Sequence, residues 1–430
     1  MYQLRWLREE NVPVLTRSNG WLLKREFWIA GREERAVFSR LASELGGVDF
    51  SLENRFLVFH RVPAWSGPSF AVEVFGEAAR LGVLYWEPGR GWSLHPSGAL
   101  TSILEGLGAK TFPVETARGR LKNKKVSIGE LGLPPGSYII VRTRGFVGPA
   151  RVADSSGSVK IKDLAPSGFR LLREPVLKDL LEKNRETIES AVAEARRFIR
   201  EVYEEHVGSG KIPVSFSGGA DSTAVLSLAV EELGAGRVLA IYTDTGLEFP
   251  ETTGYVESIA SKIGVELVVL RPETDFIAEI EMRGLMSVEK RWCTELQKII
   301  PLRKFYSSNR VKIYLDGARD YESSLRERSP RIGVNPALPG ILRALPIKKW
   351  PRMLVQLYLL SRKIPLNPLY DRGFTRIGCV VCPAMHQHEL MMSLRDYREI
   401  HERILSATGL REEEYLSMKW TKRRVFNRER

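Results

Sequence analysis

The stretch VSFSGGADSTAVL, residues 214–226, decides the fold of this sequence. A run of β-branched and aromatic residues leads into two glycines, an acid and several hydroxyls, and an apolar, helix-compatible run follows. A strand that turns into a helix in this way leaves backbone N–H groups free at the helix start, where the helix dipole favours an anion. The stretch therefore predicts a site for an anion at the end of a strand.

The residue types in this turn suit phosphate. Gly218 and Gly219 let the backbone approach a ligand closely and adopt positive φ, and Ser217 and Ser222 add hydroxyl donors. Asp221 would repel a bare phosphate, so its presence predicts a divalent cation, Mg²⁺, bridging the carboxylate to the phosphates. The Walker pattern G-x-x-x-x-G-K-[ST] is absent, which excludes that type of phosphate loop here.

The sequence around this turn alternates between short apolar strands and helical patterns. Such alternation predicts an α/β domain with a doubly wound, mostly parallel sheet, and ligands in such sheets bind beyond the carboxyl ends of the strands. We place this domain at residues 173–430, opening with a long amphipathic helix over 176–206. The predicted strands are Ile212–Phe216, Val238–Thr243, Val265–Leu270 and Lys312–Leu315.

The motif S-G-G-x-D-S after a strand resembles the signature of the PP-loop ATP pyrophosphatases, which cleave ATP between the α and β phosphates. Four further segments resemble the phosphoadenosine phosphosulfate (PAPS) reductase branch of that superfamily. They are YTDTGLEFPET (242–252), RWCTELQKIIPL (291–302), GARDYESSLR (317–326) and NPLYDRGFTRIGCVVCP (367–383). The resemblance implies the fold, a bound ATP or related adenosine nucleotide, and roles for particular residues.

By that resemblance, Ser217, Gly218, Gly219, Asp221 and Ser222 hold phosphates and metal. Thr243, at the end of the second strand, is expected to meet the adenosine.

The segment GARDYESSLR implies a second group of anion contacts. Gly317, Arg319 and Arg326 are expected to contact phosphate or sulfate, since a guanidinium stays charged and forms forked hydrogen bonds with such groups. The alternative for the two arginines is an ion pair with Glu322 or Glu327.

The three cysteines, Cys293, Cys379 and Cys382, all fall inside these motifs. Thioredoxin-dependent PAPS reductases carry a redox cysteine in a C-terminal Glu-Cys-Gly-Leu motif, whereas no cysteine follows Cys382 here. Three thiolates predict a 4Fe-4S cluster with one iron not held by the protein. The alternatives are a zinc site completed by His386, a C-x-x-C redox or persulfide pair, and free buried thiols.

Two further domains are predicted before the α/β domain. Residues 1–112 carry no motif that assigns a role. Residues 113–172 contain short β-type runs separated by Gly and Pro, and PPGSYIIVRTRGFVGPARV (134–152) resembles a PUA domain, an RNA-binding β-barrel. Another small barrel is the alternative. A basic stretch precedes these strands, and it consists of Arg118, Arg120, Lys122, Lys124 and Lys125.

The composition narrows the classes of function. The formal net charge is +13 and the pI is about 9.6, which favours a polyanionic partner such as RNA, although a charge-rich thermophile-like surface explains the same excess. Three cysteines are few, and an odd number cannot all form disulfides within the chain, which argues against a secreted disulfide scaffold. Because no apolar run approaches membrane-spanning length, we expect a cytoplasmic protein.

Together these observations predict an ATP-dependent RNA sulfurtransferase, with tRNA the expected substrate and an unidentified sulfur donor. The enzyme would adenylate a base carbonyl oxygen and replace it with sulfur, with Asp221, Arg319 and the three cysteines as its catalytic residues. One alternative is a reductase of phosphoadenosine or adenosine phosphosulfate in sulfate assimilation. The others are another adenylyl-transfer enzyme, and an RNA-binding protein that keeps the nucleotide only as a switch.

Overall fold

The computed structural model of the chain describes residues 2–17, 26–62, 70–114, 122–287 and 289–417. Arg118 and Arg120 of the predicted basic stretch lie outside these residues. The described chain divides into two compact units. An N-terminal unit comprises residues 4–14 and 27–183, and a C-terminal unit comprises residues 2–3, 15–17, 26 and 184–417.

The first part of the N-terminal unit is a five-stranded antiparallel sheet in the order β3-β4-β5-β6-β7, with two helices packed against it. Alternation along β5 and β6 places Val72, Val74, Leu84 and Trp86 in the core and leaves the residues between them on the other face. The elements are β1 (Tyr2–Leu7), β2 (Val12–Arg17), β3 (Phe27–Ile29), α1 (Arg32–Gly46), β4 (Val58–Arg61), β5 (Phe70–Gly76), β6 (Ala79–Glu87), β7 (Gly91–Pro96) and α2 (Gly98–Gly106).

The second part of this unit is a mixed sheet of short strands in the order β8-β10-β11-β12-β9, with β13 paired to β11. No pairing within the described residues joins β8 to β9, so closure into the predicted PUA-like barrel is not observed. The strands are β8 (Phe112–Pro113), β9 (Lys125–Ser127), β10 (Tyr138–Thr143), β11 (Phe146–Val152), β12 (Ser158–Ile161) and β13 (Ala165–Pro166).

The predicted boundary at residues 112 and 113 falls inside the N-terminal unit. Ile139 and Val141 face a small core within the mixed sheet, whereas Ile140 and Val147 join the core of the five-stranded sheet. Because both faces of β10 are buried in this way, the two sheets pack together within one compact unit.

The C-terminal unit contains the predicted α/β sheet. Its six strands have the order β16-β15-β14-β17-β19-β18, and all pairs are parallel except the edge pair β18–β19. The doubly wound, mostly parallel sheet is therefore confirmed. The strands are β14 (Ile212–Ser215), β15 (Val238–Thr243), β16 (Glu266–Leu270), β17 (Ile313–Leu315), β18 (Ile332–Val334) and β19 (Leu342–Ala344).

Helices connect and follow these strands, and the long helix predicted over 176–206 is α3 (Leu177–His206). The others are α4 (Ala220–Leu233), α5 (Pro250–Ile263), α6 (Phe276–Arg283), α7 (Trp292–Thr294), a π-helical turn (Glu295–Ile299), α8 (Ile300–Ser308), α9 (Ser324–Arg328), α10 (Arg352–Ser361), α11 (Gln387–Asp396), α12 (Arg398–Thr408) and α13 (Glu412–Ser417). Short 3₁₀ turns lie at Ala235–Arg237, Asp320–Glu322 and Pro368–Tyr370. None of the described helices combines the length and apolar character that a membrane crossing needs.

Candidate nucleotide and thiol site

The turn at residues 216–219 joins the central strand β14 to helix α4, as predicted from the sequence. The Ser222 hydroxyl oxygen accepts a hydrogen bond from Ser217 N at 3.1 Å and donates one to the Gly219 carbonyl oxygen at 2.9 Å. The hydroxyl of Thr223 also donates to Gly219 O, at 2.9 Å. These bonds draw the turn back onto the first turn of α4 and hold it in a fixed shape.

Two glycines permit this shape. Gly218 has φ +73°, and a Cβ at that position would lie 2.8 Å from Thr252 Cγ2. At Gly317, just beyond β17, a Cβ would lie 2.9 Å from the backbone carbonyl carbon of Asp221 and 3.0 Å from Ser222 N. Gly317 is thus placed against the first turn of α4, and its lack of a side chain is what allows the approach.

The segment Asn367–Tyr370 secures the turn from the other side. Asn367 Nδ2 donates to Gly218 O at 3.2 Å and to Thr252 Oγ1 at 3.1 Å, and the Tyr370 hydroxyl accepts from Ala220 N at 3.1 Å. Neither residue was assigned a role from the sequence, although both lie in the segment NPLYDRGFTRIGCVVCP (367–383). The Tyr370 hydroxyl oxygen thus accepts a hydrogen bond from an N–H group at the start of α4 to which an anion would bind.

Asp221 lies in a buried charge network. Its Oδ1 is 2.8 Å from Arg319 Nε, and Arg319 Nη1 is 2.9 Å from Glu26 Oε2 and donates to Trp350 O at 3.1 Å. Arg319 is only 3% exposed. Burial raises the pKa of Asp221 to about 6; Arg319 opposes the rise, while neighbouring carboxylates add to it. Glu26, far away in sequence, is a member of this site that no motif indicated.

The Asp221 carboxylate keeps part of its surface exposed beside this ion pair. Asp221 Oδ1 and Arg319 Nε do not meet the geometry of a hydrogen bond despite their short separation. The Asp221 side chain keeps 28% of its surface exposed. Since Mg²⁺ at nucleotide sites is commonly held by one or two carboxylates plus the phosphates, this carboxylate fits the predicted role.

Arg326 is linked to the turn through Glu322 and Arg319. It forms an ion pair with Glu322, whose side chain also accepts from Arg319 N at 2.8 Å. The alternative considered for Arg326, pairing with Glu322, is therefore what this structure contains, and its contact with phosphate or sulfate stays a prediction. Thr243, the last residue of β15, is half-buried on the strand next to β14, where its predicted contact with adenosine is likewise untested.

The three cysteines gather in one hydrophobic cluster, with Cys293 and Cys379 buried and Cys382 half-buried. Val380 N donates to Leu247 O at 2.8 Å, and Glu248 forms a β-bridge with Cys379. These backbone bonds tie the CVVC loop to the segment that leads from β15 into α5.

The thiols influence one another. The hydrogen bond that the Cys379 thiol donates lowers the pKa of Cys382 to about 6, and burial only partly opposes it; the same bond raises the pKa of Cys379. Burial and the neighbouring Cys382 raise the pKa of Cys293. Lys298, whose Nζ is 3.3 Å from Glu248 Oε1, adds positive charge beside Cys379 and Cys382. The arrangement provides one thiolate stabilised by a neighbouring thiol and an ammonium group.

The predicted metal centre is not supported by this arrangement. Among the residues that the structure describes, no group of three or more His, Cys, Asp or Glu side chains has a geometry that could hold a metal ion. Cys293, Cys379 and Cys382 share a hydrophobic cluster, and the described residues show neither the 4Fe-4S cluster nor the alternative zinc site with His386.

An open cleft of about 300 Å³ lies at the carboxyl ends of β15 and β16. Its lining includes the ion pair between Asp244 and Arg271, and it shares Leu247 and Phe276 with the hydrophobic cluster around the thiols.

Comparison with known proteins agrees with the location of the site. The Phosphoadenosine phosphosulfate reductase domain matches residues 211–385. Two proteins of Methanocaldococcus jannaschii are similar: Uncharacterized protein MJ0066 is 36% identical over 52% of this chain and 46% of its own length, and Uncharacterized protein MJ0973 is 29% identical over 82% and 86%. Adenosine 5'-phosphosulfate reductase of Rhodococcus opacus is 31% identical over 33% of this chain and 57% of its own.

Among solved structures, the PAPS reductase from Candida auris in its phosphate complex covers 46% of this chain and 95% of its own, with 21% identity and a TM-score of 0.35. The chain thus spans about half the length of two of its relatives, MJ0066 and the Rhodococcus enzyme. The matched residues contain the S-G-G-x-D-S turn, Gly317, Arg319 and all three cysteines. Residues 211–385 are therefore a phosphoadenosine phosphosulfate reductase domain of the PP-loop superfamily.

Proposed function

We propose that this protein is an ATP-dependent sulfurtransferase that adenylates a carbonyl oxygen of an RNA base, with tRNA the expected RNA, and replaces it with sulfur. The observation that carries the proposal is the connection between the turn and the thiols. Glu248 bridges to Cys379, and Thr252, four residues later, packs against Gly218 of the turn. A single short segment therefore contacts both the nucleotide turn and the cysteine loop.

In the first step the turn binds the phosphates of ATP. Backbone N–H groups at the start of α4 and the Ser217 and Ser222 hydroxyls are the donors, and Arg319 holds Asp221 in place. Mg²⁺ held by Asp221 would neutralise phosphate charge. The base carbonyl oxygen attacks the α-phosphorus, the bond to the β-phosphate oxygen breaks, and pyrophosphate leaves. Positioning and charge neutralisation are the contributions of the protein to this step.

In the second step the thiols deliver sulfur. A sulfane-sulfur donor first loads Cys382 as a persulfide. Its terminal sulfur attacks the activated base carbon, the new C–S bond forms, the C–O bond breaks, and AMP leaves with the oxygen. The Cys379 thiolate then attacks Cys382 Sγ, which cleaves the S–S bond to the transferred sulfur and leaves a Cys379–Cys382 disulfide. A dithiol reductant restores both thiols.

The charge of the protein supports RNA as the substrate. An excess of thirteen positive charges attracts a polyanion and steers its approach, which a neutral small-molecule substrate would not require.

The test is a reconstituted reaction with [α-³²P]ATP, bulk tRNA, a persulfide donor and dithiothreitol. We expect AMP and pyrophosphate release that depends on RNA, together with a thiolated nucleoside detected by mass spectrometry after digestion. Asp221→Asn should lose AMP formation while it keeps RNA binding. The matched control is Glu266→Gln, which changes an exposed acid at the start of β16, away from the strand ends that adjoin the turn, and should retain AMP formation. Absence of any thiolated nucleoside with active wild-type protein would exclude the proposal.

The cysteines separate the two steps in the same assay. Cys382→Ala should retain RNA-dependent pyrophosphate release but form no thiolated nucleoside, because it cannot carry the persulfide. Cys379→Ala should retain pyrophosphate release but yield less thiolated nucleoside, because only the added dithiothreitol can then cleave the S–S bond to the transferred sulfur. Loss of pyrophosphate release in both variants, with the fold intact by circular dichroism, would place the thiols in nucleotide binding instead and contradict the assigned role.

A second candidate is reduction of adenosine or phosphoadenosine phosphosulfate. The similarity of one third of the chain to a relative with the name of such a reductase favours it. In that reaction a thiolate attacks the sulfate sulfur and the adenosine phosphate leaves. Incubation with each sulfonucleotide and dithiothreitol, followed by measurement of sulfite, tests it directly. Sulfite release without any RNA-dependent pyrophosphate would select this candidate over the sulfurtransferase.

A further inference from the structure

A row of positive charges crosses the mixed sheet of the N-terminal unit. The strand register places Arg151 of β11 opposite Lys160 of β12, and Lys160 opposite Lys125 of β9. On its other side Arg151 lies opposite Tyr138 of β10. Like charges directly opposite each other on neighbouring strands destabilise a sheet. We call Lys125, Lys160 and Arg151 the cationic row.

The cationic row is not neutralised from within the unit. In the part of the chain that the structure describes, none of its three members forms an ion pair with a carboxylate. Arg151 Nε donates instead to the backbone oxygen of Gly136, at 3.3 Å, which orients the guanidinium and leaves its charge unpaired. Lys162, just beyond β12, adds to the repulsion: burial lowers its pKa, and Lys160 and Arg151 lower it further. A polyanion that binds here would relieve the repulsion.

Three aromatic rings adjoin the tyrosine end of the row. The His95 ring centroid is 4.5 Å from that of Tyr85 and 5.6 Å from that of Tyr138. A hydrogen bond of 2.9 Å between Tyr85 Oη and His95 Nε2 fixes the first pair. We call Tyr85, His95 and Tyr138 the aromatic cluster.

Strand alternation places the aromatic cluster at the surface. Tyr85 of β6 and His95 of β7 lie on the face opposite the core residues Leu84 and Trp86, and His95 is exposed while the two tyrosines are half-buried. Although the residue as a whole is exposed, desolvation of its ring by neighbouring atoms, together with cations that include Arg151, lowers the pKa of His95 to about 4, so its ring is neutral at pH 7. A neutral ring beside fixed cations suits stacking against a base.

From the cationic row and the aromatic cluster we infer that this surface binds an unpaired strand of RNA, with phosphates on Lys125, Lys160 and Arg151 and bases stacked on Tyr138 and its neighbours. Single strands are bound in this way wherever a basic track and aromatic rings adjoin, because every base offers a stacking face. A duplex keeps its bases paired and cannot use the rings. The inference deepens the proposed function, since the strand would be part of its RNA substrate, but it rests on the residues of this surface.

The test is fluorescence anisotropy with 5'-fluorescein-labelled U12 RNA and with a labelled 12-base-pair RNA duplex. We expect tighter binding of U12 than of the duplex at equal salt. Arg151→Ala/Lys160→Ala should weaken U12 binding and flatten the plot of log K against log[salt] by about 1.4, since each phosphate contact on a single strand contributes about 0.7. Tyr138→Leu keeps apolar volume without a ring and should weaken U12 binding about tenfold.

The matched control is Arg32→Ala/Arg40→Ala, which removes two positive charges from α1 in the same unit. It should bind U12 within about twofold of the wild-type protein, with at most a small change of salt slope. Wild-type affinity for U12 in either the Arg151/Lys160 or the Tyr138 variant would overturn the inference, as would tighter binding of the duplex. Circular dichroism of each variant checks that the fold is intact.

The thionucleoside assay distinguishes failure of this surface from failure of the proposed function. If U12 binding responds as expected but no thiolated nucleoside forms, the surface stands and the sulfurtransferase is wrong. If the Arg151→Ala/Lys160→Ala variant thiolates RNA with an unchanged KM for RNA, the surface is wrong and the sulfurtransferase stands.

Discussion

Substitution of Gly317 by alanine probes the packing on which nucleotide binding depends. The added Cβ would lie 2.9 Å from the carbonyl carbon and 3.0 Å from the carbonyl oxygen of Asp221, and 3.0 Å from Ser222 N. All three are backbone atoms, so no side-chain rotation relieves the contact. A comfortable separation of at least 3.4 Å requires β17 and the first turn of α4 to move apart by about 0.5 Å.

A shift of that size has two measurable effects. Overpacking of this kind costs about 1–3 kcal/mol of unfolding free energy, which urea denaturation followed by circular dichroism will detect. The same shift lengthens the hydrogen bonds from the start of α4 to phosphate, and each charge-assisted bond contributes about 1.5–3 kcal/mol. We therefore expect Gly317→Ala to bind ATP at least tenfold more weakly in isothermal titration calorimetry.

The control is Gly236→Ala. Gly236 lies in the 3₁₀ turn before β15, its φ is not in the left-handed region, and an added Cβ there meets no atom within 4 Å. This variant should match the wild-type protein in unfolding free energy and ATP affinity. Wild-type behaviour of Gly317→Ala in both measurements would refute the close approach of β17 to the turn, and with it the geometry of the proposed phosphate site.

Three further predictions concern the same unit. Tyr370→Phe removes the hydroxyl that accepts the hydrogen bond from Ala220 N. Because ATP must displace that hydroxyl to bind the same N–H group, the variant should bind ATP about 2- to 10-fold more tightly in calorimetry. Weaker binding would show that the hydroxyl contacts ATP instead. Cys379→Ala removes the hydrogen bond that chiefly lowers the pKa of Cys382. The midpoint of the pH profile for alkylation by iodoacetamide should therefore rise from near 6 toward the ordinary value of about 8.5, and an unmoved midpoint would contradict the assigned cause. In the unsubstituted protein, the stability that this thiolate contributes is present above the unfolded-state pKa and is lost as pH falls through about 6. Arg319→Met leaves the Asp221 and Glu26 carboxylates without their partner and should lower the unfolding free energy by about 3–5 kcal/mol at pH 7. The loss should be smaller at pH 5, where Asp221 is protonated. An equal loss at pH 7 and pH 5 would argue against the raised pKa of Asp221.

Local patterns account for the features that the sequence predicted correctly. The alternation of apolar strands with helical periodicity placed β14, β15 and α3 within one residue of their observed bounds. The Gly-Gly turn between a strand and a helix was also predicted correctly, and anion binding at that helix start stays a prediction. These signals depend on neighbours in sequence, which the sequence displays directly.

Long-range packing accounts for what sequence reasoning missed. Glu26 enters the charge network around Arg319 from a segment almost three hundred residues away, and no periodicity or motif marks such a partner. The predicted 4Fe-4S cluster is likewise not shown by the described residues. Motif positions bring three cysteines into one cluster, but only side-chain placement decides whether their sulfur atoms surround a common point.

By itself, the sequence determined the parallel α/β sheet and the glycine turn at its central strand, and it named the residues predicted to carry nucleotide and thiol chemistry. The tertiary structure decided which of those residues meet: Arg319 with Asp221, Cys379 with Cys382, and the three cations of the cationic row. The physical reason is that backbone propensity and periodicity act over a few residues, whereas charge pairing, close approach and strand register depend on how distant segments pack.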